Sequence, residues 1–317
     1  MRTGDSTSSA LPLITEAEVA AALDIGRLLD GIEAAHIAFS HGDVAQPVRT
    51  AVPLAETNGF MFTMPARWTA AGVKIVTLNP ANARRGIPTH FATVIMLHPE
   101  TGEPLALLEA GTITKLRTAA ASGVATRHLV NGRPSKLALL GSGVQAEGHL
   151  AIMRHLYDLE EVAVWGPTEE NVRRFADTHR CVVASSPRAA ADEADIIVVA
   201  TAATQPVLQG GWIKPGAHVN AVGAPRPDWR ELDDDVMRNI VVVDSFASAR
   251  SESGDIIGSG CEIFAELGQI AASAKVADRT RTTVFKSLGL AVQDVAAGAI
   301  VLEHLGIGAK SAAAAGI

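Results

Sequence analysis

The spacing of apolar and polar positions changes character twice along the chain. The first forty or so residues carry helical spacing. Thr15 and Glu18 stand three apart ahead of an apolar run. In that arrangement each side chain can bond the other's backbone N–H, which predicts a helix to about Leu23. A second helix is expected from Ile25 to Phe39. From Val48 to Leu97 the spacing shortens to that of strands. VRTAVPL, GFMFTMP, GVKIVTLN and FATVIMLH are short, enriched in β-branched residues and separated by Gly, Pro and Asn. PLALLEA, from Pro104, adds another strand, so an antiparallel or mixed sheet flanked by helices is expected. An Ala-rich helix, roughly Thr114 to Leu129, follows.

From Lys136 onward β and α segments alternate. LALLGSG precedes a helix near Ala146–Leu156, and VAVWG precedes one near Glu169–Thr178. A short strand at CVVA, a helix near Pro187–Ala191 and the strands ADIIVVATA, HVNAVGA and NIVVVDS complete the series. Such alternation implies a parallel, doubly wound sheet. After Val284 the pattern becomes one long helix, Leu290 to Leu305, expected to return to the first region. The expected fold class is α/β: a Rossmann doubly wound parallel-sheet domain over 117–283 plus an α+β domain from 1–116 with 284–317.

Composition narrows the function classes. A chain of 317 residues can bury a large core and form two domains. A hydrophobic share of 48% and a charged share of 19% suit a soluble globular protein. The formal net charge of −7 argues against a nucleic-acid partner, which calls for a clustered basic surface. Two cysteines, Cys181 and Cys261, make no disulfide scaffold, so a reducing, cytoplasmic setting is expected. The start, MRTGDSTSSALP, lacks an apolar signal core and reads as a disordered tail, and the terminal KSAAAAGI is low in complexity. Apolar stretches are interrupted by Asp, Gln or His before reaching membrane-span length. No CxxC or HExxH spacing suggests a metal.

LALLGSGVQAEGHL, Leu137 to Leu150, is the most informative stretch. An apolar strand feeds a glycine turn that opens into a helix, presenting backbone N–H groups and a positive helix end to a pyrophosphate. Gly141 permits the tight turn, Gly143 the approach of phosphates, and Ala146 close helix–strand packing; Val144 and Gln145 complete the turn. GxGxxA alone is unspecific. The second strand, Val162 to Trp165, arrives about twenty residues later, as a βαβ dinucleotide fold requires. The following turn, VWGPTEEN, decides between NADH and NADPH. It offers Thr168 but neither a strand-ending Asp nor an Arg, while Arg173 can reach in from the next helix. NAD and NADP both stay open, with a lean toward NADPH.

Three cations fall in or beside the first domain: Arg49 in QPVRT, Lys74 in GVKIV and Arg117 in KLRTA. Taken singly each reads as a solvated surface charge. Converging on a cleft they would grip a carboxylate, guanidinium engaging both oxygens and ammonium adding a mobile charge. His90 in PTHFATV is either a polar group near the nicotinamide or a satisfied strand-end histidine. Ser287 in FKSLG reads as a helix N-cap. Asp294 reads as a structural salt bridge, and Asp228 and Glu231 in RPDWREL as a capped turn, with acid/base roles as the alternative.

The chain resembles the ornithine cyclodeaminase/mu-crystallin family over nearly its whole length. The resemblance rests on QPVRT, KLRTAAASGVAT, GSGVQA, KPGAHVNAVGAPRPDWRELDDDVM, SGDI, EIFAELG and TTVFKSLGLAVQD. RPDWRELDD, EIFAELG and TTVFKSLG are similar to its ketimine reductase branch in particular. The resemblance implies a first domain that binds substrate and forms a homodimer. It also implies that Lys74, Arg49 and Arg117 hold a substrate carboxylate. Thr118, Thr201, Val222, Ser287, Leu288 and Gly289 would stand with the glycine turn around the dinucleotide. The implied reaction is NAD(P)H-dependent reduction of a cyclic imino acid. Cyclodeaminases resemble the chain too but carry acids near Pro225 and at the position of Phe62; their absence favours a reductase. An ornithine cyclodeaminase, an alanine dehydrogenase-like enzyme and a dinucleotide-holding binding protein are the alternatives.

Overall fold

The computed structural model describes residues 10–308, so residues 1–9 of the expected tail MRTGDSTSSALP and the KSAAAAGI end lie outside the described residues, while Pro12 at the end of that tail accepts from the Leu107 N–H at 2.9 Å. Leu13–Ile14 forms β1, Glu16–Ala22 α1 and Ile25–His41 α2. Thr15 and Glu18 make the reciprocal capping box that their spacing predicts. Five strands follow: β2 (Thr50–Leu54), β3 (Gly59–Arg67), β4 (Ala71–Leu78), β5 (His90–Leu97) and β6 (Pro104–Glu109). They pair antiparallel in chain order, and β1 joins β6 in parallel, which makes the six-stranded sheet a mixed one. β1 has two residues, too few for any periodicity to reveal.

The connecting helix α3 runs Gly111–Leu129, one turn earlier than the alanine pattern suggests. Beyond it come β7 (Lys136–Leu140), α4 (Val144–Leu156), β8 (Glu161–Trp165), α5 (Glu169–His179), β9 (Val182–Val183), α6 (Pro187–Ala191) and β10 (Ile196–Val199). Then follow β11 (His218–Ala221), α7 (Asp234–Met237), β12 (Ile240–Val243), α8 (Phe246–Glu252) and α9 (Gly254–Ser259). β13 (Ala265–Glu266), α10 (Leu267–Ala271), β14 (Thr283–Lys286) and α11 (Ala291–His304) complete the chain.

These strands form a parallel eight-stranded sheet in the order β13-β12-β14-β11-β10-β7-β8-β9. The chain moves outward from β7 to β8 and β9, then returns to set β10 on the other flank of β7. That reversal is the switch point of a doubly wound sheet, where ligands sit beyond the carboxyl ends of the strands.

One expectation needs correction. Thr283–Lys286 is not a lead-in to the C-terminal helix but a strand, held between β11 and β12. The expected return to the first domain at residue 284 therefore falls inside the parallel sheet. All four residues of β14 are buried, so the strand shows no in–out alternation, and it ends on a lysine.

α3 joins the two halves. Its alanines let it pack against both α2 and α4, with Ala119, Ala120, Ala121 and Val124 fully buried. α11 lies against α2, α3 and the mixed sheet. One core cluster accordingly runs from Val94 and Met96 through α2, α3 and α11 to Phe285 and Val242 of the parallel sheet. Among the described residues no helix is long and apolar enough to cross a membrane.

Candidate functional site

The glycine turn has the shape its sequence implies. β7 and β8 run in register, Leu140 beside Trp165, and the Gly141 N–H donates to the Trp165 carbonyl at 2.7 Å. Gly141 has φ +121°, and a side chain there would run into the Ala200 carbonyl. Gly143 is different: it is exposed, its φ is −94°, and a side chain would meet nothing within 4 Å. It opens α4, which no side chain caps. Val144 beside it is 63% exposed, while Ala146 is buried. An uncapped thirteen-residue helix behind an open glycine cradle fits a dinucleotide pyrophosphate.

The turn after β8 adjoins this cradle, Gly166 packing against Ser142. Thr168 opens α5 without making a side-chain cap bond. Arg173, one turn on, is exposed and paired with Glu169.

The structure brings the three cations together. Lys74 lies on β4, flanked by Met64 of β3 and Val94 of β5, and only 1% exposed. Its Nζ is 2.8 Å from the Asp294 carboxylate of α11. Arg117, one and a half turns into α3, sets its Nε 3.0 Å from the same carboxylate, and its Nη1 donates to Gln293 Oε1. Arg49, just before β2, pairs with Glu252 at 2.8 Å and donates to the carbonyls of Leu288 and Pro225. Its guanidinium stands 5.1 Å over the Phe62 ring.

Glu252 pairs with Arg49, and the single carboxylate of Asp294 faces both Lys74 and Arg117, while the buried Asp244 also acts on Arg117. Burial, with help from Arg117, lowers the Lys74 pKa to about 8, against the pull of Asp294. Behind Arg117, Gln293 Nε2 donates to His36 Nε2 at 2.8 Å. His36 is neutral, burial holding its pKa at about 3.

This cluster meets the parallel sheet at the end of β14. The backbone N–H groups of Leu288 and Gly289 donate to Asp244 at 2.7 and 2.6 Å, and Ser287 Oγ joins them at 3.2 Å. Burial raises the Asp244 pKa despite these bonds. Ser287 is thus not the N-cap of α11; Leu290 holds that place, its N–H donating to Gln293. Val222, at the end of β11, donates its N–H to Val199.

Thr201 follows β10 and gives both its N–H and its hydroxyl to Glu231, each at 2.7 Å. Thr118 spends its hydroxyl on the Thr114 carbonyl of its own helix. His90 is not brought in. It is exposed at the start of β5, four residues or about 13 Å along the strand from Val94, the partner of Lys74. Asp228 only meets Arg226 near the surface. Asp244, Gln293, His36, Asp255 and Lys286 were missed from sequence, since each acts through a partner distant along the chain. Among the described residues no cluster of metal-binding side chains occurs.

A model of the ornithine cyclodeaminase/mu-crystallin family matches residues 12–308. The ketimine reductase mu-crystallin of Mus musculus is 45% identical over 285 residues, covering 87% of this chain and 91% of its own. The structure of Thermococcus litoralis Delta(1)-pyrroline-2-carboxylate reductase in complex with NADH and L-proline matches with a TM-score of 0.89 and 33% identity, covering 94% of this chain and 99% of its own. An archaeal alanine dehydrogenase dimer with bound NAD matches with a TM-score of 0.87 and 29% identity, covering 93% of this chain and 95% of its own.

Proposed function

Because the chain belongs to the ornithine cyclodeaminase/mu-crystallin family, we propose that it is an NAD(P)H-dependent reductase of cyclic imino acids. Its substrates on this reading are ketimines such as Δ1-piperideine-2-carboxylate or Δ1-pyrroline-2-carboxylate. The observation that carries the reading is the convergence of Lys74 and Arg117 on Asp294, beside Leu288 and Gly289 just past the end of β14 and with Arg49 bonded to the Leu288 carbonyl. A carboxylate of the substrate would meet this cationic set. The bound nicotinamide would supply the hydride. Lys74, Arg117 and Arg49 would orient the carboxylate and keep the imine ring against the sheet edge. Lys74 is an anchor first, and its lowered pKa suits it to a second role as proton donor.

The dinucleotide would lie over Gly141, Gly143, Val144, Gln145 and Ala146, with Thr201, Val222, Ser287, Leu288 and Gly289 along the nicotinamide half. NAD(H) is the cofactor bound in the two structural relatives, and a preference for NADPH would rest on Arg173 alone. A homodimer is supported by the dimeric relative and by apolar side chains exposed at Val48, Val52 and Phe91 near and on the mixed sheet. The free thiols of Cys181 and Cys261 support a reducing, cytoplasmic setting.

The test is nicotinamide oxidation on adding five- and six-membered cyclic imino acids, with NADH and NADPH in parallel. Turnover with either ring supports the proposal; none with any of them overturns it. Phe62 under Arg49 disfavours a cyclodeaminase, since an aromatic ring there supports a cation and cannot take a proton. An alanine dehydrogenase would share the carboxylate clamp, and turnover with pyruvate and ammonia but not with cyclic imines would select it.

A further inference from the structure

Behind the nicotinamide half of the site lies a second buried charge network that the reaction itself does not require. Lys286, the last residue of β14, is fully buried. Its ammonium donates to the Gly223 carbonyl at 2.6 Å, lies 2.9 Å from Asp255 and 3.7 Å from Glu231. Asp255 in turn accepts from the backbone N–H groups of Glu231 and Leu232 at 2.9 and 3.0 Å. Glu231 accepts twice from Thr201. Three chain exits from the carboxyl edge are thereby tied to one point: Thr201 after β10, Gly223 after β11 and Lys286 ending β14.

The first of these exits abuts the glycine turn. Ala200 N donates to the Leu140 carbonyl at 2.8 Å, and the Ala200 carbonyl packs against Gly141. Any shift of Thr201 would move the wall of the phosphate cradle. Ionised groups are costly to bury, and a network of two acids and a lysine persists only when each member is held. We propose that Glu231 is a positioning residue for the dinucleotide, acting through Thr201 to fix the loop after β10 against the glycine turn. This rests on the reading of the edge as a dinucleotide site.

The test measures NADH binding by nicotinamide fluorescence, KM for NADH and for the imino acid, and the unfolding midpoint, in Glu231→Ala and Glu231→Gln. Glutamine keeps an oxygen that can accept from Thr201; alanine does not. Glu231→Ala is expected to weaken NADH binding about tenfold, as two hydrogen bonds are released, with the imino acid KM within about twofold. Glu231→Gln is expected to recover most of that affinity. A folded Glu231→Ala protein with unchanged NADH affinity overturns the role, as does a Glu231→Gln protein as weak as the alanine variant. Should Glu231→Ala fail to fold, Thr201→Ala serves in its place: it removes the hydroxyl that Glu231 accepts and is expected to weaken NADH binding about threefold, and unchanged NADH affinity overturns the role. Failure of the unaltered chain to bind either dinucleotide overturns instead the reading on which this rests.

Discussion

Lys74 Nζ lies 2.8 Å from the Asp294 carboxylate across 220 residues of sequence, with both side chains out of contact with water. The pair also shares its carboxylate with Arg117, so Lys74 feels Arg117 and Arg49 against the pull of Asp294, on top of its burial.

Catalytic efficiency with the imino acid is expected to fall as pH rises through about 8, because the ammonium that grips the carboxylate is then lost. Stability should move the other way. The folded pKa is depressed from 10.5 to about 8, so the unfolded chain binds more protons between those values and the fold gains stability as pH rises through that window. A profile of kcat/KM against pH checks the first, and denaturant unfolding across the same range checks the second. Lys74→Met should lose the alkaline limb; a limb of equal midpoint in that variant assigns it to another group.

Removing the shared carboxylate should be severe. Asp294→Asn leaves two buried cations facing each other, which is expected to cost about 3–5 kcal/mol of stability. Denaturant unfolding measures the loss. A carboxylate ligand should then stabilise the variant more than the parent, since it restores the missing negative charge. Saturating pyrrole-2-carboxylate, a planar monoanion, is the probe, and equal stabilisation of both proteins would contradict the charge account.

The glycine turn was legible in the sequence from its context: Gly141 and Gly143 lie between an apolar strand and a helix, with a second strand about twenty residues on. The cations were legible through the family resemblance, since each alone reads as a surface charge. The capping box at Thr15 and the alternation from Lys136 follow from neighbours along the chain. What escaped is decided by distant contacts. Asp294 reads from sequence as a salt bridge and is one, but its partners Lys74 and Arg117 lie far along the chain, and β14 hides because a fully buried parallel strand lacks a polar face. Ser287 stands near the start of a helix as a cap would, but Asp244 claims its hydroxyl.

The two glycines of the turn should separate fold from ligand. Gly141→Ala forces a side chain into φ +121° and against the Ala200 carbonyl, so a stability loss of at least about 1–3 kcal/mol is expected. Gly143→Ala meets no neighbour and has an ordinary φ, so its unfolding midpoint should match the parent's. Its NADH affinity should nonetheless drop, about tenfold or more, because the methyl group occupies the path of the phosphates. Calorimetry and NADH titration on both variants check this; unchanged NADH affinity in Gly143→Ala would remove the cradle from the site.

Dinucleotide preference should turn on Glu169. Arg173 is the basic side chain that the sequence reading offers to a 2′-phosphate, its neighbour Arg174 bonding Asn171, yet Glu169 holds Arg173 across one helical turn. A 2′-phosphate must compete with that carboxylate and is also repelled by it, whereas the bare ribose of NADH meets neither cost. Glu169→Gln is therefore expected to raise kcat/KM for NADPH about five- to tenfold, the equivalent of roughly 1 kcal/mol for an exposed charge, and to leave NADH within about twofold. Adding Arg173→Ala to that variant should erase the gain. Both side chains are more than half exposed, so neither change should disturb folding. If Glu169→Gln leaves the NADPH-to-NADH ratio where it was, Arg173 does not face the ribose, and the preference is set by backbone groups at Gly166 to Thr168.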